Sequence, residues 1–281
     1  MAESAFQVQY RDEFIAGFEQ RQSLLRETVT TEAVIKGGSA VFLVADSGGA
    51  TTVTRGLNGT IPGRPDNLTQ NTCTLTEEHD KVIKTGFNIF ASQGNQRAIM
   101  QQTSMGVVNR KTDSQIITVL NTGSVNTGAA VPGTVNLFAK AQTMLGNASV
   151  PWDGNITLLC SPAFLAYLQL APEFASADYV NEKANVSDPA WKDKPQMYRW
   201  RNVLIIPHPG VPGIGTAAEK CFLYHKSAAG HAIDTSGIQS VVDYDKEDDY
   251  SFARTTAYMG AKLLQNAGVI VINHDGSALA A

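Results

Sequence analysis

The sequence predicts a mixed α+β fold, and three observations lead to it. A glycine- and proline-rich stretch, GGATTVTRGLNGTIPGRPDNLTQNTCTLTEE (48–78), lies between two β-rich arms, the pattern of a hairpin that projects from a body. From Thr76 the apolar spacing turns helical, with Val82, Ile83, Phe87 and Phe90 on one stripe. The second half alternates short apolar strands, such as ITLLC (156–160) and VLIIP (203–207), with helical segments, which marks a compact α/β unit.

Composition bounds the function. The chain has 281 residues, of which 43% are hydrophobic and 17% charged; it is long enough for a large core, and its light charge leaves room for surfaces hidden in an assembly. A net charge of −4 argues against a protein whose main task is gripping nucleic acid, because such domains carry a basic stripe. No run of about 18 apolar residues occurs, and MAESAFQVQYRDEF has no basic region followed by an apolar one. The expectation is a cytoplasmic chain that neither spans a membrane nor carries an export signal. Cys73, Cys160 and Cys221 are far apart and show no C-x-x-C spacing, so they read as reduced small hydrophobes.

Taken in order, residues 5–29 place Phe6, Tyr10, Phe14 and Phe18 four apart, a helix with one aromatic stripe. The hairpin follows from Lys36 to Thr76; arms of about 15 to 20 residues would reach about 50 Å. A lone two-stranded hairpin is marginal in water, so a neighbouring copy is the expected support. Glu77, Glu78 and Asp80 suit the start of a helix running toward Met105, in which Gly86 and Gly94 mark close crossings. Residues 115–120 read as a strand.

Thr134 to Leu145 is the next helix, with Leu137, Ala141 and Met144 on one face. Ser161 caps a helix with Pro162 at its first position, and Pro172 stops it. The remaining strands are 203–207, CFLY (221–224), IQSVVD (238–243), one at YSFART, and a last apolar one from Val269 to Ile272.

The search for chemistry returns little. G-x-S-x-G, Walker A and H-E-x-x-H are absent. His225 and His231 are six apart, a spacing that does not bring both to one helical face, so hydrogen-bonded or surface roles fit them better than metal ligation. DYDKEDDY (243–250) has Asp248 where an EF-hand loop needs glycine, and reads as a solvated turn. GVPGIG (210–215) carries Pro212 and lacks a third glycine, which leaves a shaped loop in place of a dinucleotide site. Arg55 and Arg64 at the hairpin tip read as solvated or inter-subunit arginines before they read as a phosphate site. The expectation is that no catalytic, cofactor-binding or metal residue is present.

The order of segments, together with VFLVADSGGATTVTRGLNG and CTLTEEHD around the hairpin, ITLLCSPAFLAYLQLAPEFASADYV, NVLIIPHPGVP and ARTTAYMGAKLLQNAGVIVINHD, resembles the major capsid proteins of tailed bacteriophages, the Hong Kong 97 fold, over nearly the whole chain. The resemblance implies an N-terminal arm (1–35), an extended loop that lies over the adjacent subunit (36–76), a peripheral domain with its spine helix and a strand (77–133), an axial domain (134–240) and peripheral return strands (241–281). It implies self-assembly into pentamers and hexamers of an icosahedral head around double-stranded DNA held without sequence-specific contacts.

A portal is a further implied partner, and a virion location with assembly in the bacterial host cytoplasm follows. On this reading the inter-subunit contacts are Arg55, Asn58, Ile61, Arg64 and Asp66 at the tip, Phe14 and Phe18 on the arm, and Pro209 and Pro212 in the axial loop. Some relatives join the loop to a neighbour through a lysine-to-asparagine bond, but no lysine occurs between Lys36 and Lys81, so a non-covalent shell is expected. The early start of the arm implies a separate scaffolding protein. The alternatives are an encapsulin-like compartment shell and, from another class, an α/β enzyme with a hairpin lid acting through Asp243, Asp245 or the histidines.

Overall fold

The structure is a computed structural model that describes residues 20, 22–32, 37–59, 61–86, 88, 96–175, 198–234 and 239–279. The aromatic stripe at Phe6, Tyr10, Phe14 and Phe18, as well as Phe87, Phe90 and Gly94, lies outside the described residues. A 3-10 turn (Arg26–Thr28) leads into β1 (Thr30–Glu32), β2 (Ser39–Asp46), β3 (Asn67–Thr74) and β4 (Thr76–Thr85). Then come α1 (Gln96–Leu120), α2 (Val135–Asn147), β5 (Ile156–Cys160), α3 (Pro162–Leu170), the single turn α4 (Pro172–Ala175), β6 (Tyr198–Trp200) and β7 (Val203–Pro207). The chain continues through β8 (Glu219–His225), β9 (Ala229–Ile233), β10 (Gln239–Asp245), β11 (Tyr250–Leu263) and β12 (Val269–His274).

Two five-stranded sheets and the hairpin organise these elements. The first sheet runs β1-β9-β11-β10 with β4 also paired to β11, the second runs β12-β8-β5-β7-β6, and β2 pairs with β3. Strand β11 turns alternate residues Ser251, Ala253, Thr255, Ala257 and Met259 inward, all buried, as the period of two demands. Val108 of α1 packs on Ile233, Ala257 and Met259, and the Thr112 hydroxyl meets the Met259 sulfur at 3.6 Å. In the second sheet, Phe138 of α2 stacks on Trp200 of β6 with ring centres 5.2 Å apart.

Leu158, Leu223 and Ile272 lie in the same buried core as Leu145 and Phe164. The last turns of α1 enter this second core through Ile116, Ile117 and Leu120. One helix therefore braces both sheets.

Several elements form as the sequence predicts, for the expected reasons. Thr134 caps α2 by accepting the Leu137 amide at 3.1 Å, and Ser161 caps α3 by accepting that of Phe164 at 3.0 Å with Pro162 at the first position. The loop 210–215 is shaped by glycine. Gly213 has φ +71°, and a Cβ there would collide with the Ala218 backbone.

Other elements differ. Residues 76–85 are a strand, paired with β11 from Thr76↔Met259 to Thr85↔Tyr250, and the described part of the helix begins at Gln96. Ile83 is half exposed on this strand; Glu77 is exposed, whereas Glu78 and Asp80 are half-buried on the side facing α1, where Glu78 meets Lys111 at 3.3 Å. Residues 115–120 are the end of α1 and not a strand, because Ile116, Ile117 and Leu120 fall on one helical face and are buried there. That burial overrides β-propensity.

Residues 26–28 form a 3-10 turn inside the span 5–29 expected to be helix, and a short strand follows at residues 30–32. The hairpin arms hold eight paired residues each, Ser39↔Thr74 to Asp46↔Asn67, a ladder of about 26 Å in place of 50. Strands β9 and β12 lie in the first and second sheet respectively, so the segments 134–240 and 241–281 each feed both sheets.

Candidate assembly interface

The hairpin has two faces, and among the described residues only one packs against the rest of the chain. Strand parity puts Ala40, Phe42 and Cys73 on the face that packs at its root against Ala232 of β9. The Phe42 ring fits over Gly230, where a Cβ would come within 3.0 Å of it, and Gly260 makes similar room for the Thr74 carbonyl and the Cys73 sulfur. On the opposite face stand Val41, Leu43 and Ala45, paired across the ladder with Thr72, Gln70 and Leu68. Val41 is 53% exposed, Leu43 61% and Leu68 49%. Together they form an exposed aliphatic strip along the ribbon.

The tip beyond Asp46 is shaped by local hydrogen bonds. The Asp46 carboxylate accepts from the Gly48 amide at 2.7 Å and from the Asn67 side chain. These two bonds, the Asn67 one foremost, and the nearby Arg64 guanidinium hold its carboxyl below the ordinary value. Arg64 donates to the Ser47 carbonyl at 2.9 Å, which closes the base of the tip loop. Val53, Leu57 and Ile61 are all more than half exposed.

The residues expected to touch neighbours fall into two groups. Arg55, Asn58, Ile61, Arg64 and Asp66 share the tip and are exposed. Pro209 is exposed and Pro212 half-buried, on a separate groove of about 570 Å³ beside α1 with Arg110, Ile117 and Asn121. Phe14 and Phe18 lie outside the described residues. Sequence reading missed Val41, Leu43 and Leu68. Apolar residues fill both parities of SAVFLVAD, so period alone leaves open which face is turned outward.

The titratable groups occupy separate structural settings. His79 sits on the surface of β4 near Thr256 (3.0 Å) and Glu77 (3.2 Å), and His208 meets Asp113 at 3.3 Å. His231 is buried, and neither ring nitrogen has a hydrogen-bond partner among the described residues. Ser227, His225 and Asp153 have the composition of a nucleophilic triad, with Ser227 Oγ 2.8 Å from Nδ1 and Asp153 3.0 Å from Nε2. However, the Ser227 backbone N–H also points at Nδ1, at 3.2 Å. The imidazole lone pair caps the turn Lys226–Ala228 and does not serve as a base.

Asp153 is held near a pKa of about 2, first by the side chain and amide of Asn155 and then by His225, so it anchors the ring as a fixed carboxylate. Asp243 and Asp245 belong to the exposed end of β10, where the Glu247 amide foremost lowers the Asp245 carboxyl and the Tyr244 hydroxyl bonds Asp249. That is a solvated turn, as the sequence suggested.

Comparison with known proteins fits this arrangement. The sequence model of the phage capsid protein family matches residues 2–276. No curated protein gives a sequence match. Among solved structures, a chain of Mycobacterium phage Che8 superposes with a TM-score of 0.73 at 17% identity, covering 97% of this chain and 98% of its own. A chain from the capsid of a native GTA particle gives 0.72 at 10% identity, covering 96% of each. The capsid of Ralstonia phage GP4 gives 0.66 at 12% identity, covering 95% and 94%. The fold is that of Hong Kong 97-type capsid subunits, the role is structural and not enzymatic, and the chain belongs to the phage capsid protein family.

Proposed function

We propose that this major capsid protein closes an icosahedral head from pentamers and hexamers, with the hairpin of each subunit laid over its neighbour. One observation carries the proposal: the strip of Val41, Leu43 and Leu68 is exposed on a ribbon that, among the described residues, is anchored at its root. Burying that strip against a second copy removes apolar area from water at about 25 cal/mol per Å² and gives the ribbon the support it lacks alone. Arg55, Asn58, Ile61, Arg64 and Asp66 then touch the neighbour through the tip, Pro209 and Pro212 through the axial loop, and Phe14 and Phe18 through the arm.

In this reading residues 1–35 are the arm, 36–76 the extended loop, 77–133 and 241–281 the peripheral domain, and 134–240 the axial domain. A portal and a separate scaffolding protein are the partners in assembly, which takes place in the host cytoplasm. The net charge of −4 suits a wall that encloses double-stranded DNA without adhering to it. No lysine lies between Lys36 and Lys81, so the shell is non-covalent.

Negative-stain microscopy and size-exclusion chromatography of the purified chain, alone and with the scaffolding protein, test this. Shells or free five- and six-membered rings are expected, and boiled particles run as a single band of the 30.1 kDa chain. A monomer under every condition would overturn the assembly reading, and a ladder of oligomers would overturn the non-covalent one.

A further inference from the structure

Beneath α3, one face of the second sheet gathers Glu219, Cys221 and His274. Glu219 and Cys221 are two apart on β8 and so share a face, and His274 of β12 stands directly opposite Glu219 in the antiparallel ladder. All three are fully buried. His274 Nδ1 lies 2.9 Å from Glu219 Oε1, Cys221 Sγ lies 4.0 Å from the same oxygen, and the three ligand atoms are within 4.8 Å of one another.

The far side of the carboxylate is occupied by a donor: the Gly215 amide donates to Glu219 Oε2 at 3.1 Å. Gly276 presses so closely on the Glu219 carboxylate that a Cβ would collide with it.

As a purely protein arrangement this cluster is costly. A carboxylate in a dry site needs a counter-charge, and among the described residues the ion pair made by Glu219 is with His274. A donor aimed at the far side of the carboxylate, as the Gly215 amide is, belongs to the second layer that a metal-bound carboxylate requires. Tetrahedral zinc, with bonds of 2.0 to 2.3 Å, holds its ligands roughly 3.5 Å apart, and the separations of 2.9 and 4.0 Å straddle that spacing.

We propose that Glu219, Cys221 and His274 form a structural zinc site. One sulfur, one nitrogen and one oxygen ligand suit a borderline divalent ion and not magnesium or calcium. Thiolate and carboxylate together cancel the two positive charges, so the filled site is neutral. A neutral imidazole bound through Nδ1 keeps its proton on Nε2, the nitrogen without a hydrogen-bond partner among the described residues, on a ring that meets Phe164 and Tyr167 edge to face. Since the ligands are sealed from solvent, the ion enters as the chain folds, and its binding contributes to folding stability.

The test refolds the full chain from denaturant in the presence of zinc chloride or cobalt chloride, removes free metal by gel filtration, and measures bound metal by mass spectrometry. Expected are one ion per chain, a sulfur-to-cobalt charge-transfer band with the intense visible bands of tetrahedral cobalt, and a higher melting temperature for the zinc-refolded chain than for the chelator-treated one. Cys221→Ser and His274→Gln lower bound metal about 10- to 100-fold, whereas Cys73→Ser, on the hairpin root, leaves it unchanged. If those two variants do not fold, the wild-type cobalt spectrum decides alone. A folded chain without bound metal, or cobalt bound without the sulfur band, overturns the proposal.

Discussion

The Asp113 carboxylate of α1 lies 3.3 Å from His208 Nε2, and that contact draws three distant segments into one buried junction. The same carboxylate accepts the Ser23 hydroxyl at 2.5 Å, the Leu24 and Leu25 amides at 3.0 and 3.2 Å, and the Gln20 side chain. It therefore ties the chain before β1 and the loop after β7 to the helix that braces both sheets.

Burial opposes ionisation of Asp113, yet the bonds from His208, Ser23, Leu24 and Gln20 outweigh it and hold the carboxyl below its ordinary value of 3.8. Its stabilisation is thus fully present above that value and is lost as pH falls through the lower folded one. Asp113→Ala should cost about 3 to 5 kcal/mol in urea unfolding of the unassembled chain at neutral pH, and Asp113→Asn less, since one acceptor oxygen remains. A cost under about 1 kcal/mol for the alanine variant would mean that the junction is solvated.

His231, on β9 between Thr31 of β1 and Ala261 of β11, carries a pH dependence of the opposite chemical kind. Burial foremost, with the Arg26 charge added and Asp113 opposing, lowers its pKa from 6.5 to about 4. Between those values the unfolded chain takes up a proton that the folded chain refuses, so stability rises with pH across the window. The full effect, about 3 kcal/mol, is present above pH 6.5 and is lost as pH falls toward 4. His231→Phe, which removes both unpartnered nitrogens, should flatten the unfolding free energy over this range. A wild type already flat between these pH values would show that the imidazole protonates in place.

How much of this was legible in the sequence depends on whether a signal is local. Ser161 and Pro162 announce α3, and Thr134 announces α2, because caps act within one turn. The run QIITVL (115–120) looks like a strand since isoleucine, threonine and valine are β-formers, but it is held helical by burial against a sheet built from residues 156 onward. Strand β9, AGHAI, is small and carries no β-signature, yet all of it is buried; only its neighbours β1 and β11 make it a strand.

The Asp113–His208 junction and the Glu219–His274 pair join residues 95 and 55 apart, distances over which no periodicity speaks. The overall order of segments was readable all the same, and it was this order that pointed to the family.

Loop 210–215 offers a local test of backbone strain. Gly213 holds φ +71° with the Ala218 carbonyl where a Cβ would sit, and its own carbonyl accepts the Thr216 amide at 3.0 Å. Gly213→Ala should therefore destabilise the subunit by about 2 kcal/mol or more, through the left-handed backbone and the displaced loop together. Gly63→Ala, at the hairpin tip with nothing within 4 Å of the added Cβ, should be near neutral. Thermal unfolding of both variants gives the comparison, and equal effects would refute the packing argument.

The hairpin allows fold and assembly to be separated by adjacent residues. Phe42, 8% exposed, packs the root against Ala232 and Gly230, so Phe42→Ala should cost about 3 kcal/mol and loosen the hairpin from its own subunit. Leu43, the next residue, points the other way and is 61% exposed. Leu43→Asp should leave the melting temperature of the unassembled chain within the scatter of ordinary surface changes, about 0.5 kcal/mol. Buried against a neighbour, the same carboxylate would be unpaired and desolvated, so shells and rings should be absent in sedimentation and microscopy. Leu43→Met, which conserves volume and polarity, should restore assembly. Normal shells from Leu43→Asp would show that this face of the hairpin stays in water and would move the neighbour contact to the tip.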